Sequence, residues 1–149
     1  MTLSGNKELL DRELVAFFAS RLAPHNALAL AQEWAYKVSK TDTIIISGFH
    51  SPIEREVLSI LLSEGCCVIV ALSRTLYRKI PPHLQTPYNE GRLLFISFRE
   101  HSRPSFASSQ HRNWATADIA RKIVFAPFEP QSQLSALHYS FQQKSSILG

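Results

Sequence analysis

A doubly wound α/β domain, in three layers with a mostly parallel sheet of about five strands, is the fold the sequence predicts. Three observations lead there. Short apolar runs rich in β-formers recur along the chain, and amphipathic helical stretches alternate with them. The 149 residues, 45% hydrophobic and 19% charged, suffice to bury one core. Buried strands joined through helices imply right-handed crossovers and a sheet covered on both faces, here as one domain over 1–149.

The elements follow in order. Glu13 to Ser20 is an apolar run with charged residues just before it, and Arg21 to Pro24 break it. Asn26 is a candidate N-cap. Ala27, Leu30, Ala31, Trp34, Ala35 and Val38 then recur at helical spacing, giving an amphipathic helix of about three turns. Thr43 to Ser47 is short, β-branched and apolar on both faces, as a buried parallel strand should be. After Gly48, Ser51 can cap a helix, Pro52 fits its first position and Glu54 completes a capping box. Gly65 is placed to end that helix in a left-handed conformation. Cys66 to Leu72 is the third strand, and a short helix is expected around Thr75 to Lys79 in a basic, proline-broken stretch. Leu93 to Phe98 is the fourth strand. Arg99 to Asn113 reads as a polar loop long enough to carry function. Trp114 to Lys122 reads as a short helix, Ile123 to Ala126 as a fifth strand and Ser132 to Lys144 as a closing helix.

Several classes of protein are excluded. The apolar fraction is too high for a disordered chain, and 5 Gly and 8 Pro rule out a collagen-like repeat. The longest unbroken apolar run, Cys66 to Leu72, is far too short to span a bilayer. Glu8, Asp11 and Glu13 interrupt any secretory leader. Adjacent Cys66 and Cys67 make a poor disulfide framework, so a reduced, cytoplasmic protein without membrane contact is expected. None of the 6 histidines stands at metal-ligand spacing with Cys or a carboxylate, and no cofactor is called for. No G-x-S-x-G elbow anchors a catalytic serine, so a binding function is favoured over an enzymatic one.

Charge is unevenly spread. Residues 1–73 carry 6 basic and 8 acidic side chains, whereas residues 74–122 carry 9 basic against 3 acidic. The basic stretch favours an anionic partner such as nucleic acid, although a solvated basic face would look the same.

In doubly wound sheets the ligand sits beyond the carboxyl ends of the strands. Ser47-Gly48-Phe49-His50-Ser51 is a strand–turn–helix junction whose backbone N–H groups and hydroxyls can hold a phosphate. It is neither a Walker A loop nor a dinucleotide fingerprint, and taken alone it is better explained as a capped helix after a glycine turn, which needs no ligand. Arg21 stands immediately after the first strand. Arg112-Asn113 pairs a guanidinium with an amide, though Asn113 can also cap the helix at Trp114. The candidate phosphate contacts are therefore Arg21, Ser47, Gly48, Ser51, Arg112 and Asn113, helped by Arg74, Arg78, Lys79 and Arg99. Trp34 and Trp114 read as core. Tyr77, Tyr88 and Phe106 lie where they can stack on bases.

From about Leu9 to Leu134 the order of these pieces resembles the DNA-processing protein A family (DprA, also called Smf), whose Rossmann-like core belongs to the nucleotide-binding SLOG group. The family's first strand ends Gly-Ser-Arg; here Ala19-Ser20-Arg21 keeps Ser-Arg. Its hallmark Ser-Gly-Leu-Ala-Arg-Gly-Ile-Asp is similar to Ser47-Gly48-Phe49-His50-Ser51-Pro52-Ile53-Glu54, which keeps Ser-Gly and an Ile-acid pair. A strand leading to a Tyr-Pro loop looks like Val68 to Pro81, and one leaving as Ser-Glu looks like Leu94 to Arg99 with Ser97 retained. Arg-Asn-Arg before a helix is matched by Arg112-Asn113-Trp114, and a Ser-Gly-Ser-Leu turn by Gln131-Ser132-Gln133-Leu134. The resemblance implies a protein that binds single-stranded DNA, forms a homodimer and loads the recombinase RecA in natural transformation. The length leaves no room for the family's flanking helical and winged-helix modules, so a diverged stand-alone core is expected. The Pro-Gly-Gly-x-Gly-Thr of LOG-type phosphoribohydrolases is absent. The competing expectations are a sensor or enzyme for a nucleotide or nucleoside phosphate, and a structural partner module with a solvated basic face.

Overall fold

A computed structural model describes residues 1–98 and 105–149, so Arg99 lies outside the described residues. One sheet carries seven strands: β1 (Thr2–Gly5), β2 (Leu14–Phe18), β3 (Ile44–Ser47), β4 (Val68–Leu72), β5 (Leu93–Ser97), β6 (Lys122–Phe125) and β7 (Ser145–Ile147). Their spatial order is β1-β5-β4-β3-β2-β6-β7, parallel throughout except for β1 against β5. The five predicted strands form its centre, and the count of about five is corrected by the two edges. Both edge strands are short and rich in Ser or Thr, and neither has the continuous apolar run that marks a strand buried on both faces.

Five helices connect the strands: α1 (Ala27–Val38), α2 (Pro52–Ser63), α3 (Gln85–Asn89), α4 (Phe106–Ile119) and α5 (Leu134–Ser140). Alternation along each strand divides the core in two. Phe17, Ile45, Val70 and Phe95 pack with Ala31, Ala35, Val57 and Leu61 of α1 and α2. Phe18, Ile46, Ala71, Ile96 and Phe125 pack with Ala117 of α4 and with Leu134 and Leu137 of α5. The helices thus cover both faces, and the loops after β2 and β6 leave toward opposite ones. This reversal between neighbouring strands opens a crevice at their carboxyl ends.

The α2 capping box forms as expected, with Pro52 at the start and Gly65 at φ +81° after the end. Other expectations are corrected. Residues 75–79 are not helical; the short helical segments begin at Pro82, the second of two consecutive prolines, which suits a first helical position. Helix α4 begins eight residues before Trp114, because Ser105 and Ser108 form a capping box of their own. Its polar first half conceals it from a search for apolar periodicity. Asn113 is therefore a mid-helix residue and not a cap. Asn26 makes no side-chain cap bond, and the closing helix ends at Ser140. Trp34 stacks on Phe17 at 4.9 Å between ring centres, whereas Trp114 is 41% exposed.

Candidate functional site

The turn between β3 and α2 is held by a buried carboxylate. Glu54 is only 6% exposed. Its Oε1 accepts the N–H groups of His50 (2.9 Å) and Ser51 (3.2 Å), and its Oε2 accepts that of Ala19 (3.0 Å) at the end of β2. The Ser51 hydroxyl donates to the Ala19 carbonyl at 2.8 Å and accepts the Glu54 N–H. Ser47 Oγ accepts the Phe49 N–H at 3.0 Å. Phe49 itself adopts φ +47°, a left-handed conformation costly for a bulky side chain, and its ring is buried in the core. Glu54 thereby occupies the anion-attracting start of α2, and the Ser47 and Ser51 hydroxyls are engaged by the chain itself.

Arg112 has the opposite character. It projects from the middle of α4 and is 5% exposed, yet it forms no ion pair with a carboxylate among the described residues. Its Nε donates to Asn113 Oδ1 at 2.8 Å, and its Nη1 reaches the Ala71 carbonyl at 3.4 Å. Burial pulls the guanidinium below its ordinary proton affinity, partly offset by the Glu54 charge. Gly48 makes the arrangement feasible: a Cβ built there would fall on the guanidinium atoms of Arg112. A desolvated cation without a directly paired carboxylate, as Arg112 is among the described residues, costs on the order of several kcal/mol, and an incoming anion would offset it.

Two cavities meet at this arginine. The first, about 400 Å³, lies between the ends of β2 and the start of α5, with Arg21, His50, Ser51, Phe106, Arg112 and Asn113 in its wall. The second, about 190 Å³, has Gly48, Arg55, Arg74, Tyr77, Phe95 and Arg112 in its wall and shares His50 with the first. Arg21 is exposed on the first rim, and no ion pair holds it among the described residues. Ser20 below it accepts a hydrogen bond from Ser132 at 2.8 Å, which ties the β2 loop to the α5 loop. Arg74 lies over the Tyr77 ring at 4.6 Å and donates to the Thr75 carbonyl.

Of the sequence-predicted residues, Arg21, Ser51, Arg112 and Asn113 converge on the first cavity, and Gly48, Arg74 and Arg112 on the second. Ser47 is fully buried behind them. Arg78 and Lys79 are exposed and stand outside both walls, as does Tyr88, whose hydroxyl bonds Ser4 in the β1 strand. Sequence reasoning missed His50 and Arg55. Both lie in the acidic-leaning half of the chain, where a count of basic residues gives no signal; the one local signal is their adjacency to the Ser47-Gly48 turn. Burial and the Arg112, Arg21 and Arg55 charges lower the proton affinity of His50, against the opposing pull of Glu54. Among the described residues no group of His, Cys, Asp or Glu is arranged to hold a metal, and no helix is long and apolar enough to cross a membrane.

No protein-family model matches the chain, and neither does any curated protein. Solved structures do match. DNA processing protein A from Helicobacter pylori, a single-stranded DNA binder, is 18% identical with a TM-score of 0.75, over 97% of this chain and 69% of its own. DNA processing protein A from Streptococcus pneumoniae is 18% identical with a TM-score of 0.76, over 97% of this chain and 52% of its own. The molybdenum cofactor carrier protein from Chlamydomonas reinhardtii is more distant, 13% identical with a TM-score of 0.57, over 91% of this chain and 74% of its own. The chain therefore has the DprA-like fold that its ordered strand ends predict.

Proposed function

We propose that the crevice at the carboxyl ends of the sheet binds the phosphate backbone of single-stranded DNA, in a DprA-like role. The observation that carries this reading is Arg112, a buried guanidinium without a carboxylate partner among the described residues, set between two cavities. Arg21 on one side and Arg55 and Arg74 on the other extend the positive field, as a chain of phosphates requires. The likeness in fold to single-stranded-DNA-binding DNA processing protein A supports the same partner. Ser47, Gly48 and Ser51 serve this site by positioning: they shape the turn against which Arg112 lies, and Asn113 orients the guanidinium. Arg78, Lys79 and Arg99 add charge around the basic stretch. Dimerisation, delivery of DNA to a RecA-type recombinase, a place in transformation and a cytoplasmic location are the finer parts of the same proposal.

Oligonucleotide binding measured against salt tests it. Affinity is expected to fall steeply as salt rises, since each neutralised phosphate releases counterions. Arg112→Ala is expected to weaken binding alike for unrelated sequences, because phosphate contacts carry no base information. No binding at low salt, or a flat salt response, overturns the reading. The rival, a domain for a single nucleotide or nucleoside phosphate, draws support from the compact second cavity with Tyr77 and Phe95 beside Arg112. A thermal-shift series of mononucleotides against oligonucleotides separates them, because the ligand preferring the folded state raises its melting temperature.

A further inference from the structure

We propose that His50 couples anion binding in this crevice to proton uptake, so that affinity for a phosphodiester rises as pH falls. The inference rests on the anion-binding reading above and goes beyond it by naming the residue that sets how binding responds to pH. The geometry is a cluster of charges around one imidazole. His50 stands in the wall shared by the two cavities. Arg21, from the loop after β2, and Arg112, from α4, share the first cavity wall with it, and Arg55, from the first turn of α2, shares the second; among the described residues Glu54 is the opposing charge. That carboxylate is committed: it already accepts the backbone N–H groups of Ala19, His50 and Ser51, so it is only partly available to offset a further positive charge.

Partial burial, and after it this field, disfavours a fourth cation, and the imidazole's proton affinity is lowered by both. An anion seated between Arg21 and Arg112 reverses the balance. It removes the repulsion and adds an attraction, so the imidazole takes up a proton and donates to the anion from a ring nitrogen. Linkage makes the effect mutual: what the anion adds to proton binding, the proton adds to anion binding. A rise of one unit in the bound-state pKa corresponds to about a tenfold gain in affinity between the two ends of the titration. Arg21, Arg55 and Arg112 attract the anion independently of the imidazole, so the site binds without the His50 proton and strengthens on acidification.

The experiment uses the full chain and a 5′-hydroxyl oligothymidylate, whose phosphodiesters and bases do not titrate near neutrality. Affinity is measured at constant ionic strength between about pH 5.5 and about pH 8, the range in which histidine changes charge. The wild type is expected to bind several-fold to about tenfold more tightly at the acid end. His50→Gln is expected to bind with little pH dependence, and calorimetry in buffers of different ionisation enthalpy to register proton uptake by the wild type only. Binding by the wild type that is independent of pH overturns the inference while the DNA-binding reading stands. A pH response that persists in His50→Gln also overturns it and assigns the response to another group. An absence of binding at every pH overturns the DNA-binding reading itself, and the inference with it.

Discussion

Glu54 and Arg112 are both almost fully buried, and Glu54 lies close enough to favour the charge on Arg112, yet they are satisfied in opposite ways. Glu54 accepts three backbone N–H groups and closes the junction between β2, β3 and α2. Arg112 has one good hydrogen bond to a neighbouring amide, a long contact to a carbonyl and open cavities on two sides. A buried charge whose bonding capacity is filled by its own backbone is architecture. One whose capacity faces a cavity is poised for a ligand.

Substitutions can break this contrast, and the largest effect belongs to Glu54. Glu54→Ala leaves three amide hydrogens without their acceptor and deprives Arg112 of the negative charge beside it. A loss of about 3–5 kcal/mol is expected in chemical denaturation. Gly48→Ala comes next, because its Cβ and the Arg112 guanidinium cannot share one volume. About 1 kcal/mol of destabilisation is expected, because the guanidinium can swing into the adjoining cavities, together with weakened oligonucleotide binding as the arginine is displaced.

Arg112→Met sharpens the comparison from the other side. Replacing a buried charge that has no carboxylate partner among the described residues by an apolar chain of similar length is expected to leave stability unchanged within about 1 kcal/mol, or to raise it, while binding falls and the salt slope drops by about one. A collapse in stability like that of Glu54→Ala would place Arg112 with the architecture instead.

The smallest effect concerns the ligand-free protein and pH. The proton affinity of His50 is lower in the folded state than in the unfolded chain, whose imidazole titrates near the ordinary 6.5. The unfolded state therefore binds more protons below that value. Stability is fully present above about pH 6.5 and declines slightly as pH falls toward the folded-state pKa. Melting temperatures of the wild type and His50→Gln, measured across that window, should converge above it and separate modestly below.

The parts of this molecule that were legible in the sequence are those where local and tertiary demands agree. Ile44 to Ser47 and Val68 to Leu72 are buried on both faces, so continuous β-branched runs announce them. Ser51, Pro52 and Glu54 announce a helix start because capping is satisfied within four residues. The first half of α4 was illegible for the reverse reason. Its Ser, Gln, His and Arg have no apolar periodicity, and the helix is held by a serine cap and by the sheet beneath it. Reading Phe106 to Asn113 as loop moved Arg112 from the centre of a helix to its edge, and Asn113 from an orienting partner to a cap.

By itself the sequence determined the doubly wound core, the strand ends that carry its loops and the excess of cations beyond residue 73, because periodicity and capping are short-range. Only the tertiary structure decided that Glu54 also accepts the Ala19 N–H at the end of β2, that Gly48 is bare so that a guanidinium can lie against it, and that His50 shares its cavity walls with three arginines. Burial and electrostatics act through space, between residues such as Gly48 and Arg112 that are far apart along the chain, and no local pattern of residues encodes such distances.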